Sequence, residues 1–303
     1  MMEKIGNVEI STFGSAPVFP DREDKPENVF LLEVLKQQAD PGEILKRDHR
    51  WPVMLQLSSM RRNIVQPMSI HKDSRVLELD AGMGAVTAAL APLCSQIDCV
   101  EESLLQSRAN AYRNRAYDNL RIHVGSMREY QPRECYDVVV LLGGLERAPH
   151  YFPGADPFRE MLAFCRKMLK PGGLVYIAVN NRLGARYFAG CREEHADRFF
   201  AGIEGNGDNQ SPHAFSKSEL AGQVGATGFE NLFFYYPLPD YNLPRMIYSE
   251  KYLPQNDLSF PYRSNYDADR LVCFEEVALL RSLGGTAEFG MLTNSFLLEA
   301  AAQ

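Results

Sequence analysis

The stretch Ser74-Arg75-Val76-Leu77-Glu78-Leu79-Asp80-Ala81-Gly82-Met83-Gly84-Ala85-Val86-Thr87 decides how the rest of the chain is read. Residues 74–79 form a short strand pattern. Gly82 and Gly84 then mark a sharp turn, and a small-residue helix pattern (AVTAALAPL) follows. Glycines between a strand and a helix let a ligand approach the backbone. The helix N-terminus behind them offers unpaired N–H groups and the positive end of a dipole. A dinucleotide site of the form G-x-G-x-x-G places a third small residue where this chain has Thr87. Glu78, inside the strand, is awkward beside a pyrophosphate and suits a cationic or hydroxyl-rich ligand.

Outward from this stretch the pattern repeats. Residues 96–100 (QIDCV), 120–124 (LRIHV), 136–142 (YDVVVLL) and 174–179 (LVYIAV) read as strands. Helix patterns lie at 104–117 and 158–169, the latter stopped by Lys170-Pro171-Gly172-Gly173. Strands alternating with helices, several almost wholly apolar, imply a parallel sheet covered on both faces. Upstream, residues 1–26 read as an irregular Pro-rich arm. Residues 27–38 read as a helix, and 44–65 as a helical region with a helix at 57–64 for which Ser58 is a candidate N-cap. Downstream, a Gly-rich, charged and aromatic stretch (181–215) precedes a helix at 217–224 and a strand at 229–236. A Pro/Tyr-rich tail, a further helix and a last strand near 295–298 complete the chain.

Length and composition bound the function. At 303 residues the chain has room for one elaborated domain or two small ones. Lys+Arg number 32 against 39 Asp+Glu, a formal charge of −7, which disfavours nucleic acid as the main partner because phosphate neutralisation needs clustered cations. No run approaches the roughly eighteen apolar residues of a membrane span, and the N-terminus lacks the pattern of a secretory signal. The six cysteines (Cys94, Cys99, Cys135, Cys165, Cys191, Cys273) include no C-x-x-C pair. They read as reduced thiols of a cytoplasmic protein. No H-x-x-x-H, H-E-x-x-H or carboxylate cluster suggests a dedicated metal site.

The 76–87 segment resembles the first motif, E/D-x-G-x-G-x-G, of the class I S-adenosylmethionine-dependent methyltransferases. Supporting matches follow in order: Glu101, seventeen residues past Gly84, ends the second strand; Gly125-Ser126-Met127 follows the third; Leu142-Gly143-Gly144-Leu145-Glu146 ends the fourth; and Leu169-Lys170-Pro171-Gly172-Gly173 turns into the fifth. Two positions depart from the pattern: Asp80 stands at the first glycine, and Ser126 at the usual acid. Further runs, including 56–63 (QLSSMRRN), 180–191 (NNRLGARYFAGC) and 236–241 (YPLPDY), are similar to a bacterial subfamily associated with glycosyltransferases and surface-polysaccharide clusters.

The resemblance implies a doubly wound, Rossmann-like α/β fold with a seven-stranded sheet. It implies three regions: an N-terminal arm and helical cap (1–69), a cofactor-binding core (70–235, with 181–215 inserted), and a C-terminal α+β extension (236–303) that shapes the acceptor site. The implied cofactor is S-adenosylmethionine. Its implied contacts are Glu78, Asp80, Ala81, Gly82, Gly84, Glu101 or its neighbour Glu102, Ser126, Met127, Leu142 and Gly143, with Arg61 or Arg62 for the cofactor carboxylate. The implied reaction is metal-independent O-methylation of a sugar, nucleotide-sugar or related polar metabolite. Two alternatives stay open: a natural-product or peptide acceptor, and a binding or scaffolding module without catalysis. Association with glycosyltransferase machinery or a second copy of the chain is a further expectation. The general base has three candidates. His195 lies in the polar stretch after the fifth strand and titrates near working pH; Glu204 and His150 are the others.

Overall fold

The computed structural model describes residues 2–14, 25–205, 210–255, 258–259 and 270–303. The Pro-rich stretch at 15–24, expected to be irregular, and residues 206–209 of the 181–215 segment lie outside the described residues. The chain divides into two compact units. One comprises Met1–Leu141 with Lys167–Leu174, and the other Leu142–Arg166 with Val175–Gln303.

The first unit is built on β1 (Met2–Ile5), β2 (Val8–Thr12), β3 (Arg75–Leu79), β4 (Gln96–Glu101), β5 (Leu120–Val124) and β6 (Tyr136–Leu142), in the order β1-β2-β5-β4-β3-β6. β5, β4, β3 and β6 run parallel. Neighbours lie on both sides of β3, so the strand order reverses there, and such a reversal opens a ligand crevice beyond the carboxyl ends of the strands. This is the Rossmann-like α/β arrangement that the sequence implies. The helix Leu104–Asn114 starts where the Ser103 hydroxyl accepts the Gln106 N–H at 3.1 Å, and it buries Ala109 and Ala111. The helix Pro26–Gln37 has proline in its first turn and ends at Gln38 in the left-handed conformation. It packs Leu31, Val34 and Leu35 with Val53, Leu57, Met83 and Ala109.

Several expectations need correction. Residues 1–26 do not begin as an irregular arm: β1 and β2 form an antiparallel hairpin turning at Gly6, and β2 extends the sheet parallel to β5. The sheet strands number ten among the described residues, rather than seven, and the hairpin supplies two of the additional ones. The helix expected at 57–64 ends instead at Leu57 (Trp51–Leu57). Ser58 turns out of it and accepts the Met60 N–H at 3.3 Å, starting the 3₁₀ helix Ser59–Val65. The sheet of the first unit is buried on both faces at β3, β4 and β6, as expected, but at β2 and β5 buried and exposed residues alternate. The connection from β5 to β6 contains only the 3₁₀ turn Met127–Glu129. A cavity of about 760 Å³ lies in this unit, lined by Ser11, Asp98, Arg121 and His123 among others and by none of the residues assigned above to cofactor or acceptor.

The second unit contains β7 (Leu169–Asn180, whose first residues fall in the first unit), β8 (Phe229–Leu238), β9 (Met246–Ser249) and β10 (Ser295–Ala302), in the order β7-β10-β8-β9. β8 is antiparallel to both β10 and β9. The helix Lys217–Ala226 has a capping box between Ser216 and Glu219. Arg182 forks the Glu219 carboxylate with two bonds of 2.7 Å, and that guanidinium holds its carboxyl down to about 2. Edge-to-face rings of Phe234 and Tyr236 on Phe296 and Phe289 fill the core.

One contact in the first unit fixes the glycine turn on its helix. Gly84 has φ +74°, and Asn114 Nδ2 donates to its carbonyl at 3.1 Å. A Cβ there would overlap the Asn110 amide and stand 2.7 Å from Asn114 Nδ2. Gly84→Ala is expected to destabilise the protein by about 2–4 kcal/mol, since a strained φ and a steric clash add; urea unfolding measures it.

Candidate functional site

In the first unit, the turn after β3 carries three left-handed residues: Asp80 (φ 57°), Gly82 (φ 55°) and Gly84 (φ 74°). Asp80 therefore keeps the backbone conformation of the glycine that it replaces, which a short polar side chain tolerates. Its N–H bonds Val100 O at 3.0 Å. Asp80, Ala81 and Gly82 are half-exposed between buried neighbours. Glu101, at the end of β4, is buried and holds the turn. Its Oε2 accepts the Gly82 N–H and its Oε1 the Ser103 N–H, both at 2.9 Å. Glu102 Oε1 accepts the Met127 N–H at 3.3 Å, and Ser126 and Met127 are buried beside it.

Glu78 is buried and faces the helix that follows the turn. The Thr87 hydroxyl donates to its Oε2 at 2.6 Å and the Cys99 thiol at 3.5 Å. Thr87 in turn accepts from Asn110 Nδ2 at 3.2 Å. The residue that broke the dinucleotide pattern is thus the hydrogen-bond partner of Glu78. Burial pushes the Glu78 carboxyl up to about 7, against the lowering pull of Thr87, Cys99 and the Arg61 charge. Arg61, half-buried in the Ser59–Val65 turn, acts electrostatically on this carboxylate.

The second unit gathers an acid–base cluster. Leu142 and Gly143 follow β6, and the Gly143 N–H bonds Ala178 O at 2.8 Å. Three residues later, Glu146 is buried. Its Oε1 accepts the Asn180 N–H at 2.5 Å, and its Oε2 accepts His195 Nε2 at 2.7 Å and Asn180 Nδ2 at 3.3 Å. With Nε2–H donating to Glu146, His195 keeps Nδ1 as its basic nitrogen. Glu193 Oε2 accepts the backbone N–H groups of His195 (2.9 Å) and Ala196 (2.7 Å), which fixes the loop. Burial alone would lower the His195 pKa, but the Glu146 hydrogen bond and the charges of Glu146 and Glu193 raise it above the ordinary histidine value. The other two candidate bases stand outside this cluster: Glu204 is exposed and pairs with Arg198 at 3.1 Å, and His150 is an exposed residue of the helix Ala148–Tyr151.

Sequence reasoning missed Glu146 as the hydrogen-bond partner of His195, and Asn180 as the partner of Glu146. Their signal was polarity at the ends of two apolar strands, where a carboxylate and an amide have no packing role. It also missed the chain Ser11 Oγ–His123 Nδ1 (3.1 Å), His123 Nε2–Asp98 Oδ1 (3.5 Å) and Tyr136 OH–Asp98 Oδ2 (2.8 Å) along the cavity of the first unit. Among the described residues, no group of three His, Cys, Asp or Glu side chains is placed to hold a metal ion, and no helix is long and apolar enough to cross a membrane.

No family model matches the chain. In sequence it is similar to the ubiquinone biosynthesis O-methyltransferase of Idiomarina loihiensis, 29% identical over 163 residues, which are 52% of this chain and 62% of that protein. It is also similar to the protein-L-isoaspartate O-methyltransferase of Roseiflexus castenholzii, 28% identical over 116 residues, 36% of this chain and 49% of that protein. The chain thus spans less than two thirds of either relative. Among solved structures it is similar to a chain from the Haloferax volcanii complex of the Trm112 methyltransferase activator with a methyltransferase (16% identity, 90% of this chain and 97% of that one, TM-score 0.48). Another is an S-adenosylmethionine-dependent methyltransferase from Thermotoga maritima (15% identity, 90% of this chain, 100% of that one, TM-score 0.46).

The Glu146–His195 pair has a direct signature. In an NMR titration, the His195 imidazole is expected to hold its proton to higher pH than a free histidine, and Glu146→Gln is expected to bring its titration down. An unchanged midpoint in the variant would show that the carboxylate does not govern it.

Proposed function

We propose that the chain is an S-adenosylmethionine-dependent methyltransferase acting on a hydroxyl of a sugar, nucleotide-sugar or related polar metabolite. The observation that carries this reading is the left-handed turn Asp80–Gly84 held by the buried Glu101 carboxylate. A turn half-exposed at Asp80, Ala81 and Gly82, with the Glu101 carboxylate beside it, fits a ligand that has a diol and a positive charge. Asp80 adds a carboxylate that favours a cationic sulfur. Arg61 is the residue for the cofactor's own carboxylate. When bound, the cofactor supplies an electrophilic methyl group on a sulfonium.

The protein's part is to align the acceptor and manage its proton. Neutral His195 takes the hydroxyl proton on Nδ1, while Glu146 holds Nε2–H, fixes the tautomer and stabilises the imidazolium that forms. Because that pair raises the imidazole pKa, the base form is depleted at low pH, and turnover rises as pH passes the raised value. The names of both sequence relatives specify oxygen as the methylated atom, which supports an oxygen acceptor. A glycan-type acceptor arises by glycosyl transfer, so the natural associates are glycosyltransferases.

Calorimetry tests the reading. S-adenosylhomocysteine is expected to bind the intact chain, and Glu101→Ala to weaken it by about 1–3 kcal/mol, the loss of a charge-assisted hydrogen-bond partner. Absence of heat with either S-adenosylmethionine or S-adenosylhomocysteine at millimolar concentration would overturn it. His195→Ala is expected to lower kcat by about 10²–10⁴-fold with cofactor affinity retained.

A further inference from the structure

Three polar side chains from three strands meet in the cavity of the first unit. Ser11 (β2), His123 (β5) and Asp98 (β4) all line it, and none is among the cofactor or acceptor residues assigned above. Parallel pairing sets Ser11 directly beside His123. It also sets Asp98 beside Arg121, which lies two residues before His123 and so on the same face of β5. Ser11 Oγ stands 3.1 Å from His123 Nδ1, and His123 Nε2 stands 3.5 Å from Asp98 Oδ1. Exposure falls along this row: Ser11 and His123 are half-buried, whereas Asp98 is 3% exposed.

The buried end is held from several sides. The Tyr136 hydroxyl donates to Asp98 Oδ2 at 2.8 Å, and the Tyr130 hydroxyl lies 2.7 Å behind it. Gln96 Nε2 donates to Oδ1 at 3.1 Å and to Oδ2 at 3.0 Å, and Arg75 Nη2 lies 3.8 Å from Oδ2. Burial alone would raise the Asp98 carboxyl, but the hydrogen bonds from His123, Tyr136 and Gln96 hold it below the ordinary carboxylate value. The Tyr130 ring sits against the imidazole, 5.1 Å between centroids. With Nε2–H donating to Asp98, Nδ1 is the basic nitrogen of His123 and accepts the Ser11 hydroxyl proton. A hydroxyl, a base and a carboxylate that orients the base are the parts of an activated nucleophile. The cavity of about 760 Å³ has the size of a small-molecule site, with Met2 and Phe13 as apolar lining and Arg121 as a cation beside His123.

We propose that this cavity is a second catalytic site, distinct from methyl transfer, in which Ser11 is the nucleophile and His123 the general base for hydrolysis of small carboxylic esters. Asp98 is the positioning residue of that base. Ser11 Oγ bonds to the ester carbonyl carbon as its proton passes to His123 Nδ1. Arg121 offsets the charge that develops on the carbonyl oxygen. The bond to the alcohol oxygen then breaks, and the alcohol leaves with the proton from Nδ1. Water attacks the acyl-serine and gives a proton to Nδ1. The acid is released as Ser11 takes that proton back. One ester and one water thus become one acid and one alcohol.

A fluorophosphonate probe on the full chain, with the adduct located by mass spectrometry, tests the nucleophile. An adduct on Ser11 is expected, with none at that position in Ser11→Ala, and labelling of His123→Gln is expected to be slower by about 10²–10⁴-fold. With p-nitrophenyl acetate as substrate, Asp98→Asn is expected to lower kcat by about 10²-fold or more and to leave KM within about twofold, because an amide disfavours the tautomer that the carboxylate selects. The Ser11 and His123 variants decide the matter if Asp98→Asn does not fold. Absence of an adduct on Ser11, or ester hydrolysis by Ser11→Ala as fast as by the unmodified chain, would overturn the assignment. A change in KM with kcat retained in Asp98→Asn would overturn the positioning role. Neither readout involves S-adenosylmethionine, so the outcome is independent of the methyltransferase reading.

Discussion

The carboxylate of Glu101 is the constraint around which the first unit is arranged. Parallel pairing sets Leu79 beside Val100, so the last residue of β4 stands next to the point where the chain leaves β3. There the backbone passes through three left-handed residues, of which Asp80 still donates its N–H to Val100 O at 3.0 Å. Glu101 supplies one acceptor to Gly82 on one side and one to Ser103 on the other, where the helix Leu104–Asn114 begins. A buried carboxylate is tolerable only when it accepts such donors. The turn, the helix start and the end of β4 therefore depend on one another, and none is free to move without leaving the charge uncompensated.

The second unit uses the same device for a different end. Glu146 is a buried hub whose two oxygens serve a backbone N–H, an amide and an imidazole. Its own backbone carbonyl takes the His213 N–H. The imidazole is thus fixed in orientation by the Glu146 carboxylate and by the loop that Glu193 holds.

How much of this was legible in the sequence follows from how local each interaction is. The Asp80–Gly84 turn, Glu101 and the apolar strands are short-range signals, and the elements formed close to where the pattern placed them. The β1–β2 hairpin also had a local signal, a Gly6-Asn7 pair between alternating segments. The Pro-rich stretch beyond it drew the whole N-terminus into the reading of an arm. The partners of His195 and Arg186 were out of reach. Glu146 lies 49 residues before His195, and Asp240 lies 54 after Arg186. No period or motif links residues that far apart. His195 was visible as a polar-loop histidine, while the carboxylate that sets its chemistry was visible only as the residue after Leu145.

The open face at β2 and β5 has a consequence for how substitutions distribute along those two strands. In β5, Leu120, Ile122 and Val124 are buried, whereas Arg121 is exposed and His123 half-exposed. In β2, Val8 and Ile10 are buried, with Glu9 exposed between them. A sheet sandwiched on both sides resists change at every position. Here resistance alternates with a period of two, and adjacent residues of one strand belong to different regimes: one governed by packing against the helix Leu104–Asn114, the other by hydration and by the Ser11–His123–Asp98 chain. Sequence drift along β2 and β5 is accordingly channelled to one side of the sheet, where the surface can diversify while the fold stays fixed.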